Sequence, residues 1–80
     1  MTRDEVEKKV KDITARVLNV DLDKIQSKSR FSQDLGAESI QSIELVAAFE
    51  GEFGVDLDEE AALSVQTVRG AVDFLAGRLG

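Results

Sequence analysis

The chain has 80 residues, 42% of them hydrophobic, which is enough for one domain over residues 1–80 with a small core and too many for a disordered acidic chain. It contains no cysteine and no histidine, so it has no disulfide, no thiolate metal site, no cysteine nucleophile and no histidine base. With a net charge of −6, no apolar run of membrane-helix length and no apolar signal at the N-terminus, the chain is expected to be soluble and cytoplasmic.

The first predicted helix begins after Thr2. The segment Thr2-Arg3-Asp4-Glu5 has the form of a capping box, in which the cap and the residue three positions later bind each other's backbone N–H groups. Apolar residues then recur at helical spacing: Val6, Val10, Ile13, Val17 and Leu18. Asn19 tolerates the left-handed conformation and is expected to end this amphipathic helix.

A long loop is predicted over residues 20–33, because its apolar residues are spaced too irregularly for one helix. These apolar anchors are Val20, Leu22, Ile25 and Phe31. The polar residues between them are expected to be exposed, and they are Ser27, Lys28, Ser29 and Arg30. A loop this long in a small domain is usually functional or packed by its own side chains.

The second helix is predicted from Ser39 to Phe53, and it carries two separate apolar groups. The group that is expected to face the core comprises Leu45, Val46, Phe49 and Phe53. On another side lie Ile40, Ile43 and Ala47, flanked by Glu44 and Glu50. Because a helix in so small a bundle rarely needs two buried faces, this second group predicts a docking surface with an acidic rim. The alternative is that the long loop covers Ile40 and Ile43.

Two more helices are predicted in the C-terminal third of the chain. Gly54 is suited to end the second helix, and Asp58 to cap a short helix that reaches Leu63. Thr67 is expected to cap the last helix, whose apolar positions are Val68, Ala71, Val72, Leu75 and Leu79. No segment shows the alternation of a strand, so the pattern predicts an all-α fold.

The middle of the chain is an acidic block. From Phe31 to Val68 there are nine Asp and Glu residues and no Lys or Arg. Such a block would repel nucleic acid phosphates and attract a partner with a basic surface. The alternative is a solvated acidic face that only aids solubility.

The segment Asp34-Leu35-Gly36-Ala37-Glu38-Ser39-Ile40 places a serine hydroxyl beside a glycine turn at a helix start. Unpaired N–H groups and the helix dipole favour an anion there, such as a phosphate ester on Ser39, although a serine that only caps the helix is the alternative. We predict no catalytic residue, because Ser39 has neither a histidine base nor the Gly-x-Ser-x-Gly turn of serine hydrolases. We predict no metal site either, because the acids from Asp56 to Glu60 lack the spacing of a calcium loop.

The order of these features resembles the acyl carrier protein family. The residues that carry the resemblance are Asp34-Leu35-Gly36, Ser39, Glu44-Leu45, Glu50, Phe53, Asp58-Glu59-Glu60 and Thr67-Val68. It implies a small four-helix bundle with a short third helix and a long loop between helices one and two. It also implies that Ser39 receives phosphopantetheine from coenzyme A and that the arm holds acyl groups as thioesters, while the protein itself catalyses nothing.

The resemblance further implies a monomer with two kinds of partner: a phosphopantetheinyl transferase, which is a holo-acyl-carrier-protein synthase, and acyl-transferring or condensing enzymes with basic docking surfaces. By analogy the partner-binding residues are Glu38, Ile40, Ile43, Glu44, Ala47 and Glu50. The alternative is an acidic helical interaction module that keeps the fold without being modified.

Several residues depart from the common family pattern: Glu38 replaces Asp, and Gln41, Ala47 and Gly51 replace acidic or bulky residues. These departures favour a specialised carrier in lipid or polyketide synthesis over the main fatty acid carrier. They do not identify the acyl group.

Overall fold

The computed structural model describes residues 1–79, which form four α-helices. The helices are α1 (Arg3–Leu18), α2 (Ser39–Phe53), α3 (Glu59–Leu63) and α4 (Val68–Leu79), with a 3-10 turn at Leu22–Lys24 between α1 and α2. The predicted all-α bundle, with its short third helix and long first loop, is confirmed. None of the described helices is both long enough and apolar enough to cross a bilayer.

The ends of the helices follow the local signals in the sequence. The Thr2 hydroxyl accepts a hydrogen bond from Glu5 N at 3.2 Å, and the Glu5 carboxylate accepts one from Thr2 N at 2.7 Å, so the predicted capping box is present. Asn19 ends α1 in the left-handed conformation with φ 55°. Gly54 ends α2 with φ 64°, where a side chain would be strained.

The core lies where α1, α2 and α4 meet, and the long loop contributes to it. The fully or nearly buried apolar residues are Val6, Val10, Ile13 and Leu18 from α1, Leu45, Val46, Phe49 and Phe53 from α2, Val68, Ala71, Val72 and Leu75 from α4, and Ile25, Phe31 and Ala37 from the loop. The predicted core face of α2 is therefore confirmed. The loop is held against the bundle at Ile25, Phe31 and Ala37. Leu22, which was expected to be an apolar anchor of the loop, is 47% exposed, so that expectation was wrong.

The long loop also caps α4. The first N–H groups of a helix have no partner inside the helix, and here the backbone oxygen of Ser29 accepts from Val68 N at 3.0 Å and that of Ser27 from Arg69 N at 2.7 Å. Ser29 was expected to be exposed, but it is buried, and its hydroxyl accepts from Gln26 N at 2.9 Å. Ser27 is half-buried. The expectation of exposure was wrong for these two serines, because the loop passes directly over the start of α4.

Candidate functional site

A closed turn leads from the long loop to the start of α2. Ala37 N donates to the backbone oxygen of Phe31 at 2.8 Å, and Gly36 N donates to that of Ser32 at 3.1 Å. Gly36 has φ 74°, a conformation that side chains rarely adopt, so the glycine of the motif is required by the turn. Ala37 is buried, and the chain then emerges from the protein surface at Glu38 and Ser39, both exposed.

The Asp34 carboxylate makes the turn compact by binding Arg30. One Asp34 oxygen accepts from Arg30 N at 2.8 Å and from Nε at 3.2 Å, while the other accepts from Nη2 at 3.2 Å. Hydrogen bonds from Arg30, together with its charge, hold the pKa of Asp34 below its usual value. The sequence places Arg30 one residue outside the acidic block, yet the side chain neutralises the first acid within it.

Ser39 is the first residue of α2, and its side chain is exposed. The preceding residue, Glu38, has the extended backbone of a cap with φ −87° and ψ 166°. The Gln41 side chain accepts a hydrogen bond from Glu38 N at 2.9 Å, which fixes the entry of the chain into the helix. The Ser39 hydroxyl therefore lies at the start of α2 beside N–H groups that lack intrahelical acceptors, an environment that favours an attached phosphate.

The second apolar stripe of α2 is open to solvent. Ile40 is 68% exposed and Ile43 is 49% exposed, and Ala47 is also exposed. The alternative in which the loop covers Ile40 and Ile43 is therefore wrong. Glu44 is exposed beside this stripe, so an apolar surface with an acidic neighbour begins one residue after Ser39.

Glu50 and Glu44 differ in burial and hydrogen bonding, although the sequence pattern predicts the same role for both. Glu50 is half-buried, and its Oε2 accepts a hydrogen bond from Leu57 N at 3.0 Å. This bond ties the last turn of α2 to the segment that leads into α3. Glu50 thus has a structural role in addition to the predicted contribution to docking, whereas Glu44 is exposed and makes no ion pair within residues 1–79.

A cavity of about 370 Å³ lies between α2, α3 and α4. Its lining is mainly apolar: Leu45, Val46 and Phe49 from α2, Ala62 and Leu63 from α3, Ala71, Phe74 and Leu75 from α4, and Phe31, Leu57 and Val65 from the connecting segments. Polar side chains from Ser32, Gln33, Ser42 and Gln66 complete it. The sequence pattern does not predict this cavity, because its lining comes from three helices and the segments that connect them.

Most of the acidic block is unpaired. Asp34 pairs with Arg30 at 3.2 Å and Glu52 with Arg16 at 3.3 Å. Within residues 1–79 the other seven acids make no ion pair: Glu38, Glu44, Glu50, Asp56, Asp58, Glu59 and Glu60. No group of three acids in the same residues is arranged to hold a metal ion. Salt should therefore act on this surface by screening.

We expect magnesium chloride to raise the melting temperature of the unmodified protein by about 4–8 °C above a low-salt buffer, because it screens like-charge repulsion among these acids. Sodium chloride at the same ionic strength is the control and should give a comparable rise. Melting followed by circular dichroism measures both. A melting temperature that changes with neither salt would contradict the expectation. A rise with magnesium alone at low concentration would indicate a dedicated magnesium site.

Known proteins resemble this chain over nearly its whole length. Residues 8–75 match the sequence pattern of the family described as "Phosphopantetheine attachment site". The chain is 40% identical over 79 residues to an acyl carrier protein of Petrotoga mobilis, an alignment that covers 99% of this chain and 93% of that protein. The fold is similar to a solved acyl carrier protein of Enterococcus faecalis, with a TM-score of 0.79, 35% identity, and coverage of 98% of this chain and 99% of that one.

Proposed function

Because this chain belongs to the acyl carrier protein family, we propose that Ser39 is the residue to which its phosphopantetheine arm is attached. The observation that carries the proposal is the exposed hydroxyl on the first residue of α2, reached through the closed turn at Gly36. Family membership implies a covalent phosphopantetheine, and this chain offers it an accessible acceptor oxygen in a field that favours a phosphate.

The residues around Ser39 present the hydroxyl and favour the phosphodiester. The chain has no histidine or cysteine, so the reactive thiol of the carrier is supplied by the arm, which holds acyl groups as thioesters when it is attached. In the transfer, Ser39 Oγ would bond to the coenzyme A phosphorus that carries the pantetheine arm, the pyrophosphate P–O bond would break, adenosine bisphosphate would leave and the hydroxyl would lose its proton. The N–H groups of the first turn of α2 and its dipole favour the resulting anion. Carrying without catalysis is consistent with the family.

The cavity gives the attached acyl group a place to shelter from water. Its volume of about 370 Å³ lies within the range that binds small ligands. Ser42, one turn along α2 from Ser39, belongs to its lining, so the cavity begins close to the attachment point. We propose that it accepts acyl chains made or used in fatty acid, lipid or polyketide synthesis.

The exposed stripe of α2 and its acidic neighbours form the proposed docking surface. Its members are Glu38, Ile40, Ile43, Glu44, Ala47 and Glu50, and its partners would be a phosphopantetheinyl transferase and acyl-transferring or condensing enzymes with basic surfaces. The exposure of Ile40 and Ile43 supports the apolar part. The unpaired carboxylate of Glu44 supports the electrostatic part, because unpaired charges steer association.

One experiment separates a carrier from an unmodified interaction module. The protein is incubated with coenzyme A and a broad-specificity phosphopantetheinyl transferase, and its intact mass is measured. A carrier should gain the mass of one phosphopantetheine. An unchanged mass with several such transferases would favour the interaction module and reject the proposed function.

Glu44→Lys should slow modification by the transferase and weaken its dependence on salt, because exposed charges act mainly on the association rate. Asp12→Lys is the matched control, since it makes the same charge change at an exposed position on α1.

Ile43→Ala should also slow modification but leave the salt dependence unchanged, because an apolar contact acts on dissociation. Initial rates over a series of salt concentrations measure these effects, and wild-type rates in both α2 variants would place recognition elsewhere.

A further inference from the structure

We propose that Arg30 is a positioning residue for the modification of Ser39: through Asp34 it holds the turn that sets the start of α2. This inference rests on the proposed function of Ser39. It goes beyond that function because Arg30 lies outside the attachment motif and outside the docking surface.

Arg30 and Asp34 bind each other with both backbone and side-chain groups. Three hydrogen bonds run from Arg30 to the Asp34 carboxylate, from the backbone N, Nε and Nη2. In return, the backbone oxygen of Arg30 accepts from Asp34 N at 3.0 Å and Leu35 N at 3.1 Å. Five hydrogen bonds therefore close the turn on Arg30.

Arg30 is itself anchored on the bundle at the start of α4. It forms an isolated antiparallel bridge with Thr67, and the adjacent Phe31 N donates to the backbone oxygen of Gln66 at 2.9 Å. The Arg30 side chain thus extends from a backbone position that is attached to α4. By holding Asp34, it links that anchor to the turn that runs to Ser39.

On the far side of the turn, Ala37 N donates to the backbone oxygen of Phe31 at 2.8 Å, and Ser39 follows two residues later. Between Asp34 and Ala37 lies Gly36, which has wide backbone freedom. A side-chain contact across such a turn limits the backbone conformations that the glycine would otherwise allow. The paired hydrogen bonds between the Arg30 guanidinium and the Asp34 carboxylate supply that restraint two residues before the glycine.

The ion pair between Arg30 and Asp34 is too exposed to contribute much to the free energy of unfolding of the whole domain. The Arg30 and Asp34 side chains are 52% and 40% exposed, and ion pairs at such sites contribute little to global stability. The ion pair between Arg30 and Asp34 should therefore act locally. It should raise the fraction of molecules in which the turn holds Ser39 in the position that the transferase binds. When that fraction falls, the apparent affinity for a binding partner falls by the same factor, while the rate at saturation is unchanged.

The test compares Arg30→Ala, Asp34→Asn and the double variant in steady-state modification by a phosphopantetheinyl transferase with coenzyme A. We expect each variant to raise the KM for the carrier, by no more than about fivefold, with kcat unchanged. Arg30→Ala and Asp34→Asn each remove the pair between guanidinium and carboxylate, while the bond from Arg30 N to the side-chain oxygen at position 34 can persist in both. The double variant should therefore be no worse than either single one. Arg30→Lys keeps the charge but cannot donate to both carboxylate oxygens as the guanidinium does, so its KM should lie between those of wild type and Arg30→Ala.

Arg69→Ala is the matched control for charge. Arg69 is exposed and makes no ion pair within the described residues, so this variant loses the same charge without touching the turn. Its KM should stay at the wild-type value. All assays are run at physiological salt to limit the effect of net charge.

Hydrogen exchange of the Leu35 and Ala37 amides gives a second readout that does not depend on the transferase. Both amides should exchange faster in Arg30→Ala, while the melting temperature stays close to that of wild type. If wild type is modified but Arg30→Ala keeps its KM and its exchange rates, the inference is wrong and the proposed function stands. If wild type is not modified at all, both are rejected.

Discussion

We expect Ser39→Ala to abolish the addition of phosphopantetheine, because it removes the proposed acceptor hydroxyl, which is exposed on the first residue of α2. Alanine is a good helix former, so the variant should fold as wild type does. Its intact mass after incubation with coenzyme A and a transferase should be that of the unmodified chain. The expected effect is complete loss, since no other residue supplies the acceptor oxygen at this position.

Ser42→Ala is the matched control for this loss. Ser42 lies on the same helix, is half-buried, and directs its hydroxyl to the backbone oxygen of Glu38 at 3.4 Å. Because it is not the proposed acceptor, the variant should gain the full mass of one phosphopantetheine. If Ser39→Ala still gained that mass, peptide mapping would identify another attachment residue and the assignment of Ser39 would be wrong.

Phe49→Ala is expected to lower the free energy of unfolding by about 3–5 kcal/mol, the usual cost of removing a buried aromatic ring. Phe49 is only 6% exposed and belongs to the core shared with α1 and α4. A domain of 80 residues has a total stability of about 4–12 kcal/mol. The variant should therefore lose a large part of its stability, which urea or thermal unfolding followed by circular dichroism would measure.

Ile43→Ala on the other face of the same helix provides the comparison. Its side chain is 49% exposed, so we expect the free energy of unfolding to change by no more than about 0.5 kcal/mol. The pair of variants tests whether α2 has one buried face and one free face. An Ile43→Ala variant as unstable as Phe49→Ala would mean that this stripe packs within the protein, and the docking surface would have to be abandoned.

The helices and the place of Ser39 could be predicted from the sequence because their determinants are local. Thr2 and Glu5 bind each other across three residues, and Gly54 ends α2 through its own backbone conformation. The two faces of α2 follow from the helical repeat alone, which is why Phe49 and Ile43 could be assigned to opposite environments. The acyl carrier resemblance was carried by residues at fixed spacing, and the family match confirms it.

Other features depended on how distant segments meet. The backbone oxygen of Ser29 caps α4 across 39 positions, and no pattern around Ser29 indicates that partner. Glu50 and Glu44 have the same side chain, but only the path of the chain into α3 brings Leu57 N to Glu50. The cavity likewise exists only because three helices and their connections leave a space between them. Hydrogen bonds and helix faces within a few residues can be read from spacing, whereas burial, long-range partners and empty volume are set by packing and require the tertiary structure.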